Sequence, residues 1–139
     1  MVTAMDEAIG SIVQYMKAIS MYDDTMFAFI SSNGGDTNQG GNNWPLRGGK
    51  HSVWNGGLKT PSFISGKVLG GKAGTRSQNM FHVTDWLPTL LDGVDTEKVR
   101  LDNTDGVSQW EGLVANKQNI RYIKSWVFNT SLEINLEMR

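Results

Sequence analysis

The apolar run "MFAFI", Met26–Ile30, is followed at once by 27 residues, Ser31–Gly57, that hold half of the chain's sixteen glycines. This juxtaposition constrains the fold more than any other feature. A strand that is apolar on both faces belongs in a covered sheet, as in a parallel α/β layer. A loop as long as the one after it is uncommon in a compact domain unless it is functional or disordered. Arg47 and Lys50 outnumber its one acid, Asp36. Backbone N–H groups exposed at glycines, together with Lys and Arg in "RGGK", suit an oxyanion such as sulfate or phosphate; an ordinary solvated basic loop is the competing reading. Ligands of open α/β sheets bind beyond the carboxyl ends of the strands, which is where this loop starts.

The segment before the strand predicts a helix over Thr3–Ser20. Met5, Ile9, Ile12, Met16 and Ile19 recur at steps of three and four and make one apolar face. Thr3 is placed to cap it, with Asp6 and Glu7 in its first turn. The helix is expected to pack on one face of a central parallel strand at Met26–Ile30. "PSFIS", Pro61–Ser65, reads as a second strand and "GKVLGGKAGTRSQN" as polar turn. "MFHVTDWLPTLLDGV", Met80–Val94, reads as a strand-like entry and a helix capped at Thr84, with Pro88 in its first turn. A short amphipathic piece follows around Trp110. The tail "IRYIKSWVFNTSLEINLEMR" reads as strand, with Tyr122, Trp126 and Phe128 as its larger apolar groups.

At 139 residues the chain is one domain's worth. A net charge of −1 gives no reason to expect nucleic acid or a membrane surface as partner. No apolar run has the length of a membrane span. The start "MVTAMDEAIGS" lacks the basic and apolar regions of a signal peptide. With no cysteine, disulfides, thiolate metal sites and a cysteine nucleophile are excluded for these residues.

Three short motifs fail on inspection. "GKVLGGKA", Gly66–Ala73, approaches a phosphate-binding loop, but Ala73 lacks the hydroxyl that would face magnesium. "DNTDG", Asp102–Gly106, is out of register for a calcium loop. No G-x-S-x-G is present. His51 and His82 are the only histidines, have no second histidine at ligand spacing, and read as surface or hydrogen-bonded residues. Asn129-Thr130-Ser131 fits a glycosylation sequon, which matters only in a secreted protein.

Taken together, the segments resemble the sulfatase family, most closely its arylsulfatase B, I and J group. "SSNGGDTNQGGNNWPLRGGKHSVWNGG" is similar to that family's "TDNGG…GGNNWPLRG-K…WEGG", "HVTDWLPTLL" to its "HITDWYPTL", and "LDNTDGVSQWEGL" to its "LDG-D-W" turn. The resemblance covers roughly Val2 to Val114. It divides the chain into residues 1–118, the C-terminal part of a sulfatase catalytic domain, and 119–139, a divergent tail left unassigned.

It implies a partial alkaline-phosphatase-like α/β fold, parallel-sheet strands flanked by helices, and calcium-dependent hydrolysis of a sulfated small molecule or glycan in a lysosomal or secreted setting. Asn33 matches a metal-ligating Asn, and Lys50 matches the sulfate-contacting Lys. An amide oxygen is a suitable calcium ligand, and an ammonium can balance charge on sulfate oxygens.

The departures are as informative. Ser32 stands where the family has a metal-ligating Asp, Asn55 replaces the Glu of "WEGG", Lys59 an Arg, and Ser108 the second Asp of "LDG-D". The family's formylglycine arises from a cysteine, rarely a serine, two residues before a proline. Here Asn43, Lys59 and Trp86 hold those positions, so the formylglycine motif is absent. The expectation is a sulfuric ester hydrolase fragment without activity of its own. The rival is a non-catalytic relative that binds sulfated glycans or a protein partner.

Overall fold

The computed structural model describes residues 1–72, 74–94, 101, 103–115 and 130–134. Helix α1 spans Val2–Ala18, one residue earlier than its periodicity predicts, with Met1 at the N-cap. Thr3 is therefore inside the helix, and no side chain caps it. Asp6 and Glu7 fall beyond the first turn. The helix closes on Ser20 in the left-handed region, φ 58°, whose N–H donates to Lys17 O. A short 3₁₀ turn, Tyr22–Asp24, leads into strand β1, Phe27–Ile30.

The sheet corrects the expectation of a central parallel strand. Its order is β1-β2-β4-β3, with β1 at an edge. β2 is Ser62–Ser65, β3 Arg76–Phe81 and β4 Thr130–Ile134. β1 runs antiparallel to β2, and β3 antiparallel to β4; only β2 and β4 are parallel. The long loop returns the chain alongside β1, which reverses the direction of β2. The run at Met26–Ile30 is apolar, yet Phe27 and Phe29 are half-buried while Ala28 and Ile30 are exposed. Phe29 stacks on its cross-strand partner Phe63, centroids 5.2 Å apart, the type of pair that fixes register in an antiparallel ladder.

Strand β2 confirms the reading of "PSFIS". Strand β3 takes up residues read as polar turn, and a register shift between Ser77 and Phe81 marks an irregularity in its pairing with β4. β4 comes from the tail read as strand; Asn129, Tyr122, Trp126, Phe128 and the 118/119 boundary lie outside the described residues. Of the stretch Gly66–Ala73, Lys67–Lys72 form a kinked 3₁₀ segment, and a strand follows where a phosphate loop needs a helix; Ala73 itself lies outside the described residues.

A one-turn helix, α2 (Asn55–Leu58), ends the long loop. The core sits between the sheet and two short helices, α3 (Trp86–Gly93) and α4 (Trp110–Val114). Ile64, Leu69, Phe81 and Leu113 are buried there, and Met26, Trp86, Leu90 and Trp110 pack around them. Helix α1 stands apart from this core. Val13 is its one buried residue. Met5, Ile12 and Ile19 of the expected stripe are 44%, 55% and 41% exposed, so no strand covers that face among the described residues. The helix contacts the Tyr22–Asp24 turn, where the Lys17 ammonium lies 4.8 Å from the Tyr22 ring centre.

Helix α3 enters through a different cap from the one its sequence suggests. His82, not Thr84, is the capping residue of the 3₁₀ turn Val83–Asp85 that precedes it. Asp85 completes a capping box by accepting from the His82 N–H at 2.9 Å. Its other oxygen accepts from Val107 N at 2.9 Å, and Thr89 Oγ1 accepts from Gln109 N at 2.9 Å. Asp85, Thr89 and Gln109 are fully buried. These bonds tie the 104–109 turn to α3 where apolar contact alone would leave buried N–H groups unpaired.

Candidate functional site

The loop Ser31–Gly57 folds back on itself through backbone contacts that only glycine allows. Gly34 N donates to Gly57 O at 2.9 Å, and Gly56 N to Arg47 O at 2.8 Å. A Cβ on Gly34 would collide with Gly56 O, so both strands of the loop need glycine at this crossing. The Asn43 side chain acts as an extra rung: Oδ1 accepts from Gly35 N and Nδ2 donates to Gly35 O, both at 2.8 Å. Lys50 N also donates to Gly35 O, at 3.1 Å. The loop therefore carries Lys50 back to within two residues of Asn33, although 17 positions separate them in sequence. The exposed Arg47 guanidinium lies over the Trp54 ring, 3.8 Å from its centre, a cation–π contact.

Beyond the end of β1 the loop walls a cleft of about 430 Å³. Ser32, Asn33 and His51 face it from the loop; Ile30, Leu58, Phe81 and Trp86 supply an apolar wall, and His82 sits at the end of β3. Phe81 and Trp86 meet at 4.5 Å between ring centres. A volume of this order suits a small organic ligand, and so does the combination of apolar wall and few polar groups. Sequence reading set aside both histidines, since neither has a ligand-spaced neighbour. Tertiary contact brings them to one cleft. The only sequence signal for His51 was its place beside Lys50. Lys50 is exposed and is not among the cleft-lining residues.

The polar groups at the end of β1 are largely bonded to one another. Ser32 Oγ donates to Asn33 Oδ1 at 3.1 Å, and Asn33 Nδ2 donates to Gly34 O at 2.8 Å. Calcium takes six to eight oxygen ligands, carboxylates prominent among them. Ser32 and Asn33 offer one hydroxyl and one amide oxygen, both uncharged. Among the described residues no group of three or more His, Cys, Asp or Glu could hold a metal. The described residues do not by themselves make a calcium site. Asp36 is turned to another task, with Oδ1 accepting from Asn38 N at 3.0 Å.

A glycine-locked loop thus returns the Lys50 backbone to the strand end that bears Asn33. The sulfatase family model matches residues 1–96. The chain belongs to the sulfatase family. It is 37% identical over 108 residues to arylsulfatase J of Mus musculus, covering 76% of this chain and 18% of that protein. It is 29% identical over 136 residues to the uncharacterized sulfatase YdeN of Escherichia coli (strain K12), covering 90% of this chain and 23% of that protein. This sulfatase-family chain therefore spans less than a quarter of the length of either relative. No helix among its described residues is long and apolar enough to cross a membrane.

Electrostatics outside the cleft are mild. Lys67 Nζ pairs with Asp23 Oδ2 at 2.8 Å, both side chains more than half exposed. The hydrogen bond and charge of Asp23 raise the Lys67 pKa above its ordinary value.

Proposed function

We propose that this chain is the sulfate-contacting portion of an arylsulfatase-like sulfuric ester hydrolase and has no turnover of its own. One observation supports the reading: the Lys50 N–H donates to Gly35 O, which returns the Lys50 backbone to within two residues of Asn33. Lys50 is the group proposed to contact sulfate oxygens, and Asn33 the proposed metal ligand. Calcium binding would require carboxylates beyond the described residues. The substrate class is a sulfated small molecule or glycan, in a lysosomal or secreted setting, by analogy with the family.

Sulfate-ester cleavage needs a nucleophile, polarisation of the sulfate and cations for the developing charge. The chain supplies a share of the last two through Asn33 and Lys50. It has no cysteine, and no serine two residues before Pro45, Pro61 or Pro88, so the nucleophile is lacking. Incubation of the chain with 4-nitrophenyl sulfate and calcium should give the rate of a heat-killed control, while the ester still binds and Lys50→Ala weakens that binding. Turnover that survives repurification and is lost in Lys50→Ala would overturn the inactive-fragment reading. The non-catalytic binder of sulfated glycans is supported by Ser32, which leaves the metal end without a carboxylate. Tight binding of a sulfated oligosaccharide with no gain from calcium would favour it.

A further inference from the structure

His51, an exposed residue, combines three properties that occur together nowhere else in the loop. It lines the cleft with Ser32 and Asn33. Its backbone is left-handed, φ 71°, a conformation uncommon outside glycine and costly to hold. Its ring has no hydrogen-bond partner among the described residues, whereas the other polar side chains of the loop on that wall are engaged. Ser31 Oγ donates to Asn33 O, Ser32 Oγ to Asn33 Oδ1, and Ser52 Oγ to Gly49 O. Asn33 Nδ2 is held by Gly34 O. The turn bearing His51 is also tightly seated. A Cβ on Gly49 would meet Gly35 O at 2.6 Å, and one on Gly57 would run into Gly49 O. Backbone strain persists only where surrounding structure imposes it, and it clusters at ligand clamps.

The geometry points to His51 as a ligand-binding residue of the cleft, whose imidazole N–H donates to an oxygen of a sulfate ester lying beside Asn33. This rests on the sulfate-ester reading and extends it, since nothing in the family resemblance assigns His51 a role. The ring offers the donor that the engaged side chains of the loop do not. Ile30, Leu58 and Trp86 then face the organic part of the ester.

The test uses phenyl sulfate, ligand-observed NMR and thermal melts on the chain, His51→Gly, His51→Asn and Lys50→Ala. Glycine accepts φ 71° without strain, so His51→Gly removes the ring while keeping the backbone. It should leave the melting temperature undiminished and weaken phenyl sulfate binding about tenfold, the loss expected for one hydrogen bond to a charged group. His51→Asn, which tolerates the left-handed region and keeps an N–H donor, should recover part of the affinity. Unchanged affinity in His51→Gly alongside weaker binding in Lys50→Ala would overturn the role of His51 and leave the sulfate-ester reading standing. Absence of phenyl sulfate binding by the unaltered chain would overturn both.

Discussion

Ser32 shows how one residue can decide what a site holds. Its hydroxyl donates to Asn33 Oδ1, the oxygen proposed as a calcium ligand, and it brings no charge. Calcium affinity follows the number of charged ligands. Ser32→Asp would place a carboxylate at that point and remove a donor that competes for the amide oxygen. Isothermal titration should show calcium binding tighter in Ser32→Asp than in the unaltered chain. Equal affinity would mean that position 32 is not at the metal. The same two residues mark how far the site could be read in advance. Ser32 and Asn33 stand in a recognisable string and do line the cleft, whereas Lys50, in the same string, is not among the cleft-lining residues. His51 was not legible, because a histidine's φ angle and its exposure to a cleft are set by the glycine contacts around it and leave no trace in spacing.

Among the elements, α3 depends most on buried polar bonds. Asp85 accepts from His82 N and Val107 N while wholly buried. Asp85→Ala would leave both donors without this acceptor, with an expected loss of about 3 kcal/mol. Urea denaturation should show it as a lower midpoint at unchanged slope. A loss near zero would show that the box is replaced by water. This cap was misread as Thr84 because serine and threonine are the usual caps, and a histidine ring accepting a backbone N–H has no comparable propensity signal. The helical periodicity of α1 and the β-branched and aromatic content of Phe63–Ile64 were sufficient to place α1 and β2. The end of β3, Met80–Phe81, reads as strand-like, but its first four residues were missed because "RSQN" is polar and its partner lies more than fifty residues away. The direction of β1 was misjudged for a related reason: apolar composition speaks of burial, and pairing direction is set by where the loop returns.

On the scale of the whole molecule, the unbalanced feature is α1. Its Met5, Ile12 and Ile19 side chains form an exposed apolar stripe, and β1 presents a sheet edge. Exposed stripes and open edges are the usual routes to association. Ile12→Lys with Ile19→Lys should reduce self-association in sedimentation velocity without lowering the thermal midpoint, because neither side chain is buried. A lower midpoint would mean that the stripe is packed in solution.

The strand order has a consequence for how the chain acquires its shape during synthesis. β2 and β3 do not pair with each other; each pairs with β4, and Ser62 is matched with Leu132, 70 residues later. Closing so long a stretch carries an entropic cost before any pairing energy is returned. Until Thr130–Ile134 has been made, the described sheet is two separate pieces, the β1–β2 hairpin and a lone β3. Co-translational binders of open strands would meet both pieces, and the window closes only when Thr130–Ile134 emerges to join them.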